Sequence, residues 1–222
     1  MKNHFIESVA QGTRTLIFPP KCMICGSPEL DICAVCQKLL KPQPKFLFGE
    51  VFPLISSLPY GEVTRKLLLL AKENGHVAAQ KFFATALTLS INHFNLNHSI
   101  SIVPIPSQRK SVRKRGFDSM KEIARLIIRD PDLKAEVEIV NSLKIIRQVA
   151  DQSSLTESER FQNLDKAFRA KSGINGKAII VIDDVVTTGS TLREAVRALK
   201  ERNLTVIGAA TACATQRRLA IG

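Results

Sequence analysis

The chain has no tryptophan and a single tyrosine, Tyr60, so its interior has to rest on aliphatic side chains and 11 phenylalanines. The same shortage removes most of the aromatic platforms on which proteins stack the bases of single-stranded nucleic acid, so any such ligand is expected to be held by its backbone. No G-x-x-x-x-G-K-[ST] occurs, which excludes a P-loop for nucleoside triphosphates. The run Leu67 to Ala71 is far too short to span a bilayer. The opening stretch MKNHFIESVAQGTRTL lacks the apolar core of a secretory signal and reads as an amphipathic helix, so a cytoplasmic protein is expected. Internal repeats and low-complexity tracts are missing as well. None of His4, His76, His93 and His98 falls in a recognised motif, and no general base is evident.

What is present is a basic α/β pattern. The 222 residues suffice for one α/β domain with a small appendage, and 45% apolar content supports a sizeable core. The net charge of +12 points to a polyanionic partner, most simply nucleic acid, although a generally basic surface gives the same figure. Strand-like segments (51–60, 100–103, 137–140, 143–147, 178–182 and 205–210) alternate with helical ones (62–72, 77–94, 118–128 and 192–202), which predicts a parallel sheet. Thr156 and Glu159 form a capping-box signature for one more helix. The segment Pro42 to Phe48 reads as a linker.

Four of the five cysteines form a compact set, Cys22-x-x-Cys25 and Cys33-x-x-Cys36, separated by seven residues. Paired C-x-x-C turns place four thiolates around one tetrahedral Zn²⁺, and four protein ligands leave no open position, so a structural site is expected. Disulfides or a redox dithiol suit a reducing cytosol less well. Cys213 stands alone in an apolar segment and is expected in the core.

Residues 181–192 read VIDDVVTTGSTL. The apolar run Ala178 to Ile182 predicts a buried parallel strand, with Asp183 and Asp184 where it ends and a small polar loop leading into a helix. Ligands of open α/β sheets bind at the carboxyl ends of the strands. A loop of this kind offers backbone N–H groups, hydroxyls and a helix N-terminus to a phosphate, while an acid pair can hold sugar hydroxyls. A strand end followed by a turn is the plainer alternative reading of the acids.

This segment closely resembles the phosphoribosyl pyrophosphate (PRPP) motif of type I phosphoribosyltransferases. That resemblance implies ribose binding and a catalytic role for Asp183 and Asp184, and a phosphate cradle from Val185 and Val186 through Thr187, Thr188, Gly189, Ser190 and Thr191. Such chemistry uses Mg²⁺ with PRPP. Displacing pyrophosphate also needs a positive site, and the loop expected after the strand at 100–103, within VPIPSQRKSVRKRGF, is the natural candidate. Arg115 is assigned to the pyrophosphate side, and Arg109, Lys110, Arg113 and Lys114 to DNA or solvent.

Taken in order, the four-cysteine finger, VPIPSQRKSVRKRGF, RQVADQSSLTESERFQNLDKAF and the PRPP motif resemble the ComF family of bacterial proteins linked to natural transformation and DNA utilisation. The resemblance implies an N-terminal helix and zinc finger over residues 1–45 and a phosphoribosyltransferase-like domain over 46–222. It implies binding of Mg-PRPP, or a related sugar phosphate, and of single-stranded DNA. It also implies partnership with a DNA-uptake helicase or inner-membrane channel protein that recruits this chain to the membrane. Arg147, Gln152, Arg160 and Asn163 match family positions for a lid, although an ordinary capped helix explains them as well. Two departures stand out. The family's R-G-F-N-Q is here Arg115-Gly116-Phe117-Asp118-Ser119, and Lys72 is followed by Glu73 instead of an aromatic. Two other functions stay open: a metabolic phosphoribosyltransferase for a free base, and a non-catalytic nucleic-acid-binding module.

Overall fold

Two nine-residue strands, β7 (Ala178–Val186) and β8 (Val206–Ala214), form the middle of a six-stranded sheet. The computed structural model describes residues 21–29, 31–47, 51–147, 166–171 and 177–215. The sheet also contains β1 (Lys45–Phe46), β2 (Leu54–Pro59), β3 (Ile100–Pro104) and β4 (Val137–Ile139), in the order β1-β2-β8-β7-β3-β4. Every neighbouring pair is parallel except β1 with β2. The predicted α/β class with a parallel sheet is what forms.

Parallel strands covered on both faces need continuous apolar runs, and β3 and β7 supply them. β8 differs, reading VIGAATACA, because small residues let a helix approach closely. A Cβ on Gly208 would lie 2.5 Å from the Phe94 ring and 2.6 Å from the Pro53 carbonyl oxygen, so only glycine fits. The chain divides into two units, Met1–Lys41 and Pro42–Gly222. In the smaller unit the cysteines lead into α1 (Ala34–Leu39).

Helices cover one face of the sheet: α2 (Glu62–Glu73), α3 (Val77–Asn92) and α5 (Ser119–Ile127). α3 is apolar nearly all round and largely buried, as a helix between sheet and outer helices must be. Its Ser90 hydroxyl shares a 2.7 Å hydrogen bond with that of Ser57 on β2, satisfying a buried polar pair. The other face is packed by α6 (Ser190–Lys200), whose Leu192, Ala195, Val196 and Leu199 join Ile179, Val181 and Val103 in one cluster. A two-stranded antiparallel sheet, β5 (Leu143–Ile145) with β6 (Phe168–Ala170), sits beside α6. Glu194 on α6 accepts from the Phe168 N–H at 3.1 Å, and Arg197 donates to the Phe168 carbonyl at 3.1 Å.

Two expectations change. The stretch after β3 is expected as a loop, but residues 109–115 form a helix, α4 (Arg109–Arg115), closed by Gly116 at φ 83. β1 occupies part of the expected linker. Among the described residues, no helix is long and apolar enough to cross a membrane. The segments around Thr156 and Glu159, and Gln152, Arg160 and Asn163, lie outside the described residues.

Candidate functional site

β7 runs four residues past Ile182 because β8 keeps pairing with it, through Asp183 with Thr211 and Val186 with Ala214. Asp183 and Asp184 therefore sit inside the strand's carboxyl end, where alternation turns them to opposite faces. Asp183 is half-buried; Asp184 is buried, at 2% exposed. The Asp184 N–H donates to Asp183 Oδ1 at 2.9 Å. Burial of its carboxyl and the Asp184 charge beside it push Asp183 up to about 8, against the pull of Lys72 and of that N–H.

Lys72, near the end of α2, places Nζ 2.5 Å from Asp184 Oδ2, at an angle that makes the contact an ion pair more than an aligned hydrogen bond. Burial works against the charge on Lys72, but Asp184 and Asp183 outweigh it and hold the ammonium above its ordinary value. Next to it, Glu73 accepts from Arg115 Nη1 at 3.2 Å, while Arg115 Nε donates to the Ser111 carbonyl at 3.2 Å. The Arg115 side chain is only 6% exposed. Phe117 lies against the turn after α2, where a Cβ on Gly75 (φ +64) would meet its ring at 3.2 Å. The segment Arg115-Gly116-Phe117 thus docks on Lys72 to Gly75. None of this follows from the motif. The available signal is that Lys72 falls four residues after Leu68, on the face of α2 that buries Leu67, Leu68 and Ala71.

The polar loop follows β7. Gly189, at φ 80, caps α6 without a side chain, and the Ser190 N–H donates instead to the Thr188 hydroxyl at 3.4 Å. The Thr188 and Ser190 hydroxyls share a 2.9 Å hydrogen bond, and Arg193 donates to the Thr188 carbonyl at 3.0 Å. Thr187, Thr188 and Thr191 are half-buried, and Ser190 is buried. Val185 and Val186 remain in the strand, with Val186 in the core, so they can offer a ligand only backbone. Cys213 is fully buried on β8; burial and the Asp184 charge raise its thiol, which leaves it an inert core residue.

On α4, Arg109, Lys110, Arg113 and Lys114 are all exposed, and the helix brings them close together through i,i+4 spacing. Asp118, at the start of α5, accepts from the Ser107 hydroxyl at 2.9 Å and faces Lys121 Nζ at 3.9 Å.

The four finger cysteines are all unpaired, and their sulfurs lie within 4.8 Å of one another. Zn–S bonds of about 2.3 Å in a tetrahedron require S···S edges of about 3.8 Å. Cys25 and Cys33 stand at 3.6 Å. Backbone N–H groups already point at the sulfurs: Cys33 N–H to Cys22 Sγ at 3.3 Å and Cys36 N–H to Cys33 Sγ at 3.4 Å. Burial opposes a Cys22 thiolate, yet such donors outweigh it and bring the thiol down to about 6. The donor set fits a structural metal such as Zn²⁺.

Comparison with known proteins finds relatives over most of the chain. The phosphoribosyl transferase domain family matches residues 111–220. The DNA utilization protein YhgH of Salmonella typhimurium is 34% identical over 195 residues, covering 87% of this chain and 84% of its own. Competence protein F of Haemophilus influenzae is 25% identical over 189 residues, covering 82% and 79%. Competence protein ComFC of Bacillus subtilis is 24% identical over 182 residues, covering 82% and 72%.

Proposed function

This chain belongs to the family of competence protein F and DNA utilization protein YhgH, and we propose that it binds Mg-PRPP, or a related sugar phosphate, and single-stranded DNA during DNA uptake. One observation carries the sugar-phosphate reading. Asp183 and Asp184 stand at the carboxyl end of a central parallel strand, three residues before a hydroxyl-lined turn at the N-terminus of α6. In this reading the loop from Thr187 to Thr191 receives the 5′-phosphate, with Val185 and Val186 offering backbone. The two acids orient the ribose hydroxyls and stabilise positive charge at the anomeric carbon as its bond to pyrophosphate breaks. Magnesium enters as part of the substrate complex, neutralising phosphate oxygens. Arg115, paired to Glu73, adds positive charge on the pyrophosphate side.

The nucleic-acid reading rests on the +12 net charge and on the exposed cations Arg109, Lys110, Arg113 and Lys114 of α4. Calorimetric titration of PRPP with Mg²⁺ tests the sugar-phosphate site. The zinc-loaded wild type is expected to bind, and the folded Asp183→Asn, Asp184→Asn double variant to lose at least about tenfold in affinity, about 1.4 kcal/mol. Equal binding by the two proteins would remove the acid pair from the site.

A further inference from the structure

Beyond α4 itself, cations from other elements converge on one groove. One section, of about 340 Å³, has Arg109 and Arg113 of α4 on one wall and Lys144 of β5 on the other, with Lys121 of α5 at its side. A second section, of about 490 Å³, shares Arg109 and Lys144 and adds Lys110. The surface between these charges is aliphatic: Pro106, Val112, Leu143 and Ile145. Asp118 is the one acid lining the first section among the described residues, and Ser107 and Lys121 face its two oxygens.

Building on the nucleic-acid reading above, we propose that single-stranded DNA runs through this groove between α4 and β5, with its phosphates on Arg109, Lys110, Arg113 and Lys144. The charge sign suits a polyanion and the concave shape suits a single chain. The aliphatic floor suits sugar and base faces without aromatic stacking, since no aromatic lines either section among the described residues. Of the cations of α4, the groove lining takes in Arg109, Lys110 and Arg113 and leaves out Lys114. Lys144 comes from a strand that the basic motif does not include.

The groove begins at Pro106 and Ser107, just past the carboxyl end of β3. There the Ile105 N–H donates to the Ile182 carbonyl at 2.9 Å, one residue before Asp183. A strand in the groove therefore approaches the acid pair.

The experiment is fluorescence anisotropy of labelled oligo-dT with the zinc-loaded full chain across a salt series. It compares wild type, Lys144→Ala and Lys81→Ala, the latter on α3 and outside the groove lining. Both lysines are exposed and both changes remove one charge, so non-specific attraction falls equally; melting temperatures check the fold. Lys144→Ala is expected to weaken binding and to flatten the log–log salt slope by about 0.7, while Lys81→Ala leaves the slope unchanged. Equal losses from the two variants would overturn the groove and leave a diffuse basic surface. Absence of wild-type binding would instead take down the nucleic-acid reading itself. Polyglutamate of matched charge that displaces the probe as well as unlabelled oligo-dT does would reassign the groove to acidic peptides.

Discussion

Lys72 occupies a place on its helix where the pattern of Leu67, Leu68 and Ala71 asks for an apolar side chain. A cation there needs a partner, and Asp184 is one: the Lys72 side chain is 30% exposed and that of Asp184 2%. Removing one member of a fully buried pair costs about 3–5 kcal/mol. Partial solvation of the ammonium lowers the figure, so Lys72→Met is expected to cost about 2–3 kcal/mol. Most of that cost is the stranded Asp184 charge. The Lys72→Met, Asp184→Asn double variant should therefore recover most of the loss, which urea unfolding of the four proteins measures. Strictly additive losses would mean that the two residues do not interact. The same arithmetic shows why the acid pair was legible in the sequence and its counter-ion was not. The motif is local in the chain, whereas Lys72 meets Asp184 from 112 positions away. Only the misplaced charge on an apolar face announces it.

Elements were legible where their apolar periodicity was strong. α2, α3 and α5 bury one stripe or nearly everything, and their spans match the pattern within about two residues. α4 escapes the same reading because Val112 is its only large apolar residue, so no stripe marks it as a helix. β7 exceeds its apolar run because pairing with β8 continues through two acids, a tertiary effect that no local pattern encodes. Asp118 illustrates how an element junction tunes the groove. It stands where the family pattern has asparagine, and it sets a negative charge among Arg109, Arg113 and Lys121. Asparagine keeps an oxygen that can accept from Ser107. Asp118→Asn is therefore expected to keep the α4–α5 junction and to raise affinity for single-stranded DNA about two- to threefold at low salt, with the gain shrinking as salt rises. Anisotropy titrations at two ionic strengths measure this, and unchanged affinity at the lower one would place the strand away from Asp118.

At the scale of the molecule, two sources of stability operate in the two units of the chain. The larger unit has its own core on both faces of a six-stranded sheet, with Leu54, Ile102, Ile180 and Leu199 each fully buried. Among the described residues of the smaller unit, Ile32 is the only buried aliphatic side chain, and the other buried apolar side chains are those of Cys22, Cys33 and Cys36. Such a segment buries little apolar surface against its conformational entropy, and a metal held by the four sulfurs is expected to supply the difference. Sulfur spacing announces this in the sequence, because C-x-x-C pairs specify a centre and not a core. Removing zinc with a strong chelator is therefore expected to unfold the finger alone. Proteases should then cut within residues 21–41, while the thermal transition of the larger unit shifts by no more than a few degrees. Metal analysis of the untreated protein should give one zinc per chain, and Cys33→Ser should reproduce the protease sensitivity without a chelator. Collapse of the main thermal transition on chelation would show instead that the sheet domain depends on the metal centre. Its core, complete in itself, gives no reason for such dependence.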